Sequence, residues 1–303
     1  MTVSNFYKGI FGTKAYKISV SAGCTCPNRD GKIGFGGCIF CSQAGSGDFV
    51  PDSFLDIELQ IEKAKMLLAP KLKNHDNVKY IAYFQDFTNT YGDLDRLKSL
   101  WFRALSCPNI AGIAIATRPD CLNDECLKII GNIAKKTYVQ VELGLQSTNE
   151  KTAGVIRRGY KNQVYFDAVK KLHEANSNIH VVSHVIFGLP GESECDMLKT
   201  VLDVVNAKSD GIKITNLYVL AQTDLQKMFE KGEYKPLEME EYFSLLKKAL
   251  KIIPKNVVIH RLTGDPPKKI LISPEWTKNK KFVLSKINNL LCDYECNYDM
   301  ERL

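Results

Sequence analysis

TCPNRDGKIGFGGCIFC, Thr25 to Cys41, sets three cysteines in a C-x11-C-x2-C pattern: Cys26, Cys38 and Cys41. Cys24 immediately precedes it. The long first gap holds charged residues and Gly31, Gly34, Gly36 and Gly37, with Gly23 just upstream, and has almost nothing to bury. Glycines at this density permit tight positive-φ turns and close backbone approach, so the segment reads as a loop able to wrap a bulky group. Three thiolates converging on one centre suit soft metals. Two chemistries compete: a zinc ion, which wants four protein ligands when structural and would have to recruit Cys24, or an iron–sulphur cluster, which can leave one iron free for a small molecule.

Working outward, KAYKISVSA (14–22) reads as a strand delivering the chain into this loop. IELQIEKAKMLL, with Ile57, Ile61, Ala64 and Leu68 at helical spacing, is followed by VKYIAYF (78–84), a buried strand. The alternation then repeats: helix LDRLKSLWFRAL and strand IAGIAIAT (110–117); helix NDECLKIIGNIAK, with Asn123 as its N-cap, and strand YVQVELGLQ (138–146); helix QVYFDAVKKLHEA and strand IHVVSHVIFGLPG (179–191); helix ECDMLKTVLDVVNA and strand GIKITNLYVL (211–220). Apolar strands joined by helical crossovers indicate a parallel sheet covered by helices. About six right-handed units predict an α/β chain, an incomplete (β/α)6-type barrel with a C-terminal extension. The expected division is a core over 1–220 and an extension over 221–303. The extension should hold a helix from Met239 to Ile252, a final strand in VVIHRLTGDPP (257–267), and an accessory cap or docking tail containing PEW, a basic segment and CDYEC.

Length and composition bound the rest. At 303 residues, with 45% hydrophobic and 25% charged residues, the chain can bury a large core as an ordinary globular protein. No apolar run reaches 18 residues and MTVSNFYKGIFG has no signal-peptide core, so the expectation is a cytoplasmic protein without membrane association. Ten cysteines in such a chain read as metal ligands plus buried thiols rather than a disulfide framework. Cys292 and Cys296 have no third neighbour and read as surface or packing thiols. A formal charge of +7, from 41 Lys and Arg against 34 Asp and Glu, permits nucleic-acid binding without establishing it.

Parallel β/α architectures gather functional groups where strands end in loops. Here those positions hold Gln85, Asp86, Thr88 and Asn89; Thr117 and Arg118; Glu142, Gln146 and Ser147; His184 with GLPGE (188–192); Asn216; and His260, Arg261 and Asp265. Each has a structural alternative: Arg118 in an ion pair with Asp120 or Glu142, His184 as a core histidine, and His260, Arg261 and Asp265 as an ion-pair network.

The cysteine triad, taken with FQDFTNTY (84–91), VELGLQS (141–147), HVIFGLPGE (184–192) and HRLTGDPP (260–267), resembles a bacterial branch of the radical S-adenosylmethionine proteins similar to the radical domain of the Elongator catalytic subunit. The resemblance spans about residues 5–276. The eleven-residue gap departs from the C-x3-C-x2-C of the superfamily at large and fits this branch. The resemblance implies a [4Fe–4S] cluster on Cys26, Cys38 and Cys41, the catalytic and metal-binding residues. S-adenosylmethionine would chelate the unique iron and yield a 5′-deoxyadenosyl radical that abstracts hydrogen from substrate. Cys24 is then no ligand. Gln85, Thr88 and Asn89 would meet the methionine moiety; Glu142 and Gln146 the ribose or methionine; Gly188 allows backbone approach to adenosine; and Arg118, His184, Asn216, His260 and Arg261 complete the cofactor-binding candidates. The implied partners are transfer RNA and an electron donor such as flavodoxin or ferredoxin. The implied reaction remodels 5-carboxymethylaminomethyluridine at the wobble position toward 5-aminomethyluridine. Competing readings are a radical enzyme acting on a small metabolite and a zinc-stabilised RNA-binding or interaction protein.

Overall fold

The computed structural model describes residues 1–45, 47, 50, 53–72 and 77–300, with side chains given up to Tyr294 apart from that of Lys71. After a short helix α1 (Val3–Phe11) come β1 (Ala15–Val20), α2 (Ile57–Leu68), β2 (Lys79–Phe84), α3 (Leu94–Ser106), β3 (Ile110–Thr117), α4 (Asp124–Ala134) and β4 (Tyr138–Gln146). The chain continues through α5 (Glu150–Val155), α6 (Asn162–Ala175), β5 (Ile179–Phe187), α7 (Glu194–Asn206), β6 (Gly211–Asn216), β7 (Val219–Leu220), α8 (Asp224–Glu230), α9 (Met239–Ile252), β8 (Val258–Arg261), β9 (Leu271–Ser273) and α10 (Lys280–Met300).

Seven of these strands form one parallel sheet in the order β1-β2-β3-β4-β5-β6-β8, curled into a half-barrel. The final strand expected in 257–267 is β8, and it completes the sheet after a long detour. The predicted 211–220 strand breaks after Asn216, β7 pairs antiparallel with β9 instead, and the chain returns through α9 before Val258 pairs with Gly211. The sheet's last strand thus comes from the region after residue 220.

Alternation along the strands sorts side chains between two environments. On β4, Val139, Val141, Leu143 and Leu145 are fully buried and face a continuous core with Leu97 and Trp101 of α3, Ile130 of α4, Tyr165 of α6 and Leu246 of α9. Gln140 and Glu142, between them, point into the barrel. Two helices begin where the sequence signals it: Asn123 caps α4 through Cys126 N, and Ser193 with Asp196 forms a capping box on α7.

Helix α1 had no sequence prediction. It closes the N-terminal end of the barrel: Phe6 stacks on His180 at 4.4 Å between ring centres, and Tyr7 donates to Gln140 Oε1 at 2.9 Å. The tail expectation also changes, since Trp276 packs on Tyr242 and Phe243 and donates to Leu237 O at 3.1 Å, while Val283 and Ile287 of α10 join the main core. Cys292 is exposed, and the side chain of Cys296 lies outside the described residues. No described helix is long and apolar enough to cross a membrane.

Candidate active site

The cysteine loop lies at the C-terminal end of β1 and folds on its own backbone. Arg29 N donates to Cys26 O (2.8 Å), Ile33 N to Pro27 O (2.8 Å), Gly37 N to Asn28 O (2.8 Å) and Cys41 N to Cys38 O (3.1 Å). Gly37, at φ +80°, leaves no room for more: a Cβ there would stand 2.9 Å from Arg29 Nε. The Arg29 guanidinium turns back to the carbonyls of Ser42 and Gln43. Three fastenings hold the loop over the strand ends. Thr88 N donates to Thr25 O at 3.3 Å, the Asn28 side-chain amide to Arg157 O at 2.5 Å, and Leu225 N to Ile39 O at 2.9 Å. Ile39 adds an apolar anchor among Ile156, Ile186, Leu189, Leu217 and Leu225.

Cys26, Cys38 and Cys41 are all partly exposed. The Cys41 thiol shares a hydrogen bond with Cys38, which is held down to about 7 by it and by the guanidinium groups of Arg118 and Arg157, while Cys41 itself is pushed up by the same bond and by burial. Asn28 Nδ2 points at Cys38 Sγ from 3.6 Å. The Cys38 thiolate is thus favoured by its electropositive setting. Cys24 is different: it is buried in the main core, lies 3.8 Å from Arg96 Nη2, and is pushed up to about 11 by burial. Cys121 stands near Cys26 but is raised to about 12 by burial and by Asp120. Among the described residues no three ligating side chains gather around the position of a single ion. Three thiols of this kind suit a group of several metal atoms, each taking one thiolate.

The other strand ends place the remaining candidates. Gln85 accepts from Ser19 Oγ at 2.7 Å; Thr88 is buried beside the cysteine loop; Asn89 donates to the carbonyls of Phe84, Asp86 and Ala116. Among the described residues, the Oδ1 atoms of Asp86, Asn89 and Asn216 are buried acceptors without a hydrogen-bond partner. Such orphan acceptors fit the amino group and hydroxyls of S-adenosylmethionine. Arg118, a cofactor-binding candidate, takes the structural alternative, a bidentate pair with Asp120 at 2.9 and 2.7 Å, and still faces Cys26 and Cys38. Gln146, Phe87 and Arg157 are non-glycine residues at positive φ around this mouth, a cost typical of functional loops. Gly188 is at φ +82°, its carbonyl accepting from Tyr234 at 2.8 Å.

Three candidates sit elsewhere. Glu142 lies inside the barrel, bound by Lys17, Lys213, Tyr83 and Gln140. His184 hydrogen-bonds Thr215 Oγ1 at 3.1 Å in the same interior. His260, expected at the mouth, faces the closed end instead. It contacts His180 Nε2 at 2.8 Å and the α1 aromatics, because it is the third residue of a strand that starts level with Gly211. Arg261, the next residue, pairs with Asp265 at 2.5 Å. Sequence reasoning missed Lys17 and Lys213, although each is a lone charge in an otherwise apolar or small-residue strand, AYKISV and GIKITN. It also missed Asn28, Arg29 and Arg157, whose roles depend on contacts up to 129 residues apart.

Comparison with known proteins agrees with this geometry. The Radical SAM superfamily model matches residues 24–204 and the Radical_SAM C-terminal domain model residues 209–291. The Bacillus subtilis protein YtqA is 41% identical over 93% of this chain and 86% of its own length. The tRNA uridine(34) acetyltransferase of Methanocaldococcus jannaschii is 30% identical over 53% of this chain, which spans 29% of that protein. The structure of the archaeal Methanocaldococcus infernus Elp3 lacking residues 1–46 shares the fold, with a TM-score of 0.68 and 19% identity over 91% of this chain and 63% of that one. The chain belongs to the radical S-adenosylmethionine superfamily and is an enzyme that uses the family's cofactors, a [4Fe–4S] cluster and S-adenosylmethionine.

Proposed function

We infer that this enzyme acts on the wobble uridine of transfer RNA, converting 5-carboxymethylaminomethyluridine toward 5-aminomethyluridine. The observation that carries this reading is the lysine-bearing interior under the cysteine loop, within a sheet that ends at β1 and β8 rather than closing on itself. An open edge admits a base still attached to a polymer, and buried cations suit a substituent that carries a carboxylate. The mouth adds surface for nucleic acid: Phe35 of the cysteine loop is 79% exposed and able to stack on a base. Similarity to a tRNA uridine(34) acetyltransferase supports the same substrate class.

On this reading Cys26, Cys38 and Cys41 hold the cluster. Gln85, Thr88, Asn89, Gln146, Gly188 and Asn216 orient S-adenosylmethionine, and Arg118 screens the charge of the thiolates. When bound, the cofactors would supply the removal of one hydrogen atom and of one further electron from the substrate. The substrate loses that hydrogen atom, a proton and the electron across its C–N bond, and water then cleaves the resulting imine into aminomethyluridine and a two-carbon oxo acid. The chain's own task is to hold the side chain inside the barrel, where the β-sheet and α1 exclude bulk water from the carbon being attacked.

Anaerobic reconstitution with transfer RNA bearing the carboxymethylaminomethyl group tests the reading. The expected result is aminomethyluridine and 5′-deoxyadenosine, both requiring reductant. Cleavage of S-adenosylmethionine with this nucleoside left intact would point to a small-metabolite substrate.

A further inference from the structure

The barrel interior holds more positive than negative charge. Both oxygens of Glu142 are fully used: Oε1 accepts from Lys17 Nζ at 2.8 Å and Gln140 Nε2 at 2.5 Å, and Oε2 accepts from the Tyr83 hydroxyl at 2.6 Å and from Lys213 Nζ. One carboxylate therefore serves two ammonium groups. Both Nζ atoms also lie 4.9 Å from the centre of the Tyr83 ring, which fixes their direction. Side-chain exposure is 10% for Lys213 and 4% for Glu142.

A third cation, Arg261, enters from the C-terminal end of β8. Its carboxylate partner Asp265 is divided between Arg261 at 2.5 Å and Lys280 at 2.8 Å. Four cations thus share two carboxylates. Burial of an ammonium without an anion of its own is unfavourable. In keeping with that, burial draws Lys213 down to about 7, so a bound anion would restore its charge. Solvent reaches Arg261, whose side chain is 39% exposed, so the surplus charge is open to a ligand.

We propose that Lys213 and Arg261 form a subsite for a carboxylate carried by the substrate, with Glu142 as the internal anion that holds the two interior ammonium groups until that carboxylate binds. A carboxylate offers two acceptor oxygens in one plane, one for the ammonium and one for the guanidinium. The proposal rests on the reading above, in which that carboxylate is the carboxymethyl end of the uridine substituent, the part the reaction removes. The methionine carboxylate of S-adenosylmethionine has the same chemistry, so the test must separate the two.

Equilibrium binding to the cluster-loaded enzyme is measured for 5-carboxymethylaminomethyluridine, for 5-aminomethyluridine and, separately, for S-adenosylmethionine. The expected preference for the carboxylate-bearing nucleoside is about tenfold, the size of one charge-assisted hydrogen bond. Lys213→Gln and Arg261→Gln should each erase most of it. Glu142→Gln, which removes the internal competitor, should enlarge it, and opposite signs from neighbours in one network cannot come from general misfolding. An unchanged preference in Lys213→Gln, or a loss confined to S-adenosylmethionine, overturns the subsite. Wild-type enzyme that discriminates the nucleosides yet leaves the transfer RNA unconverted would sink the functional reading and keep the subsite; conversion with an unchanged preference would do the reverse.

Discussion

The two ends of the barrel solve opposite problems. At the C-terminal end a glycine-rich loop presents three partly exposed thiols, and buried acceptors on Asp86, Asn89 and Asn216 lack partners among the described residues. At the N-terminal end α1 fills the opening with rings: Phe6 on His180, and Tyr7 edge-on to Tyr138 at 6.0 Å. Gln140 Oε1 takes hydrogen bonds from both tyrosines at 2.9 Å. One end keeps polar capacity in reserve for a ligand, and the other spends nearly all of it internally. The contrast teaches that closure of the floor is what leaves the mouth as the route into the charged interior.

The largest expected effect breaks the mouth. Cys26→Ser, Cys38→Ser or Cys41→Ser should each abolish reductive cleavage of S-adenosylmethionine and remove most cluster iron, whereas Cys24→Ser should retain both, because Cys24 faces Arg96 and the core. Iron content and 5′-deoxyadenosine yield decide the matter, and equal losses for all four variants would contradict the assignment.

Next in size is the floor. Tyr7→Ala removes a buried ring together with the hydrogen bond to Gln140, which should cost about 3 to 5 kcal/mol in denaturant unfolding. The thiols lie on the opposite end, so iron loading of the folded fraction should be unaffected. A loss of cluster in folded protein would show that the two ends are coupled.

A smaller effect comes from pH. His180 is held down to about 4 by burial, with Lys17 adding to the shift and Asp210 and Glu142 opposing it, and burial holds its partner His260 well below the ordinary range. Both are neutral when folded. Between about 6.5 and 4 the unfolded chain binds more protons on these rings, so stability rises with pH there and is lost on acidification, by roughly 2 to 3 kcal/mol for His180. His173, raised by its bond to Asp210, works in the other direction, so a His180→Phe variant isolates the floor. Unfolding curves from pH 7 to pH 4.5 should show a shallower acid loss in that variant than in the parent.

Much of this architecture was legible in the chain. Strands at 110–117 and 138–146 stand where continuous apolar runs put them, because both of their faces are buried, and the helix from Met239 to Ile252 stands where helical spacing puts it, because it buries one face. The cysteine loop was legible for the same kind of reason: glycine content and thiol spacing are local properties. What the sequence by itself determined is therefore the order of elements, the parallel sheet and the three-thiol loop. Tertiary structure alone decided that β8 rather than the chain after Asn216 extends the sheet, that α1 stoppers the barrel, that His260 turns to the floor, and that Lys17 and Lys213 meet on one carboxylate. Periodicity states which side of a strand a residue occupies. Which residues from distant strands then share that side depends on sheet order and register, set by packing across the whole molecule.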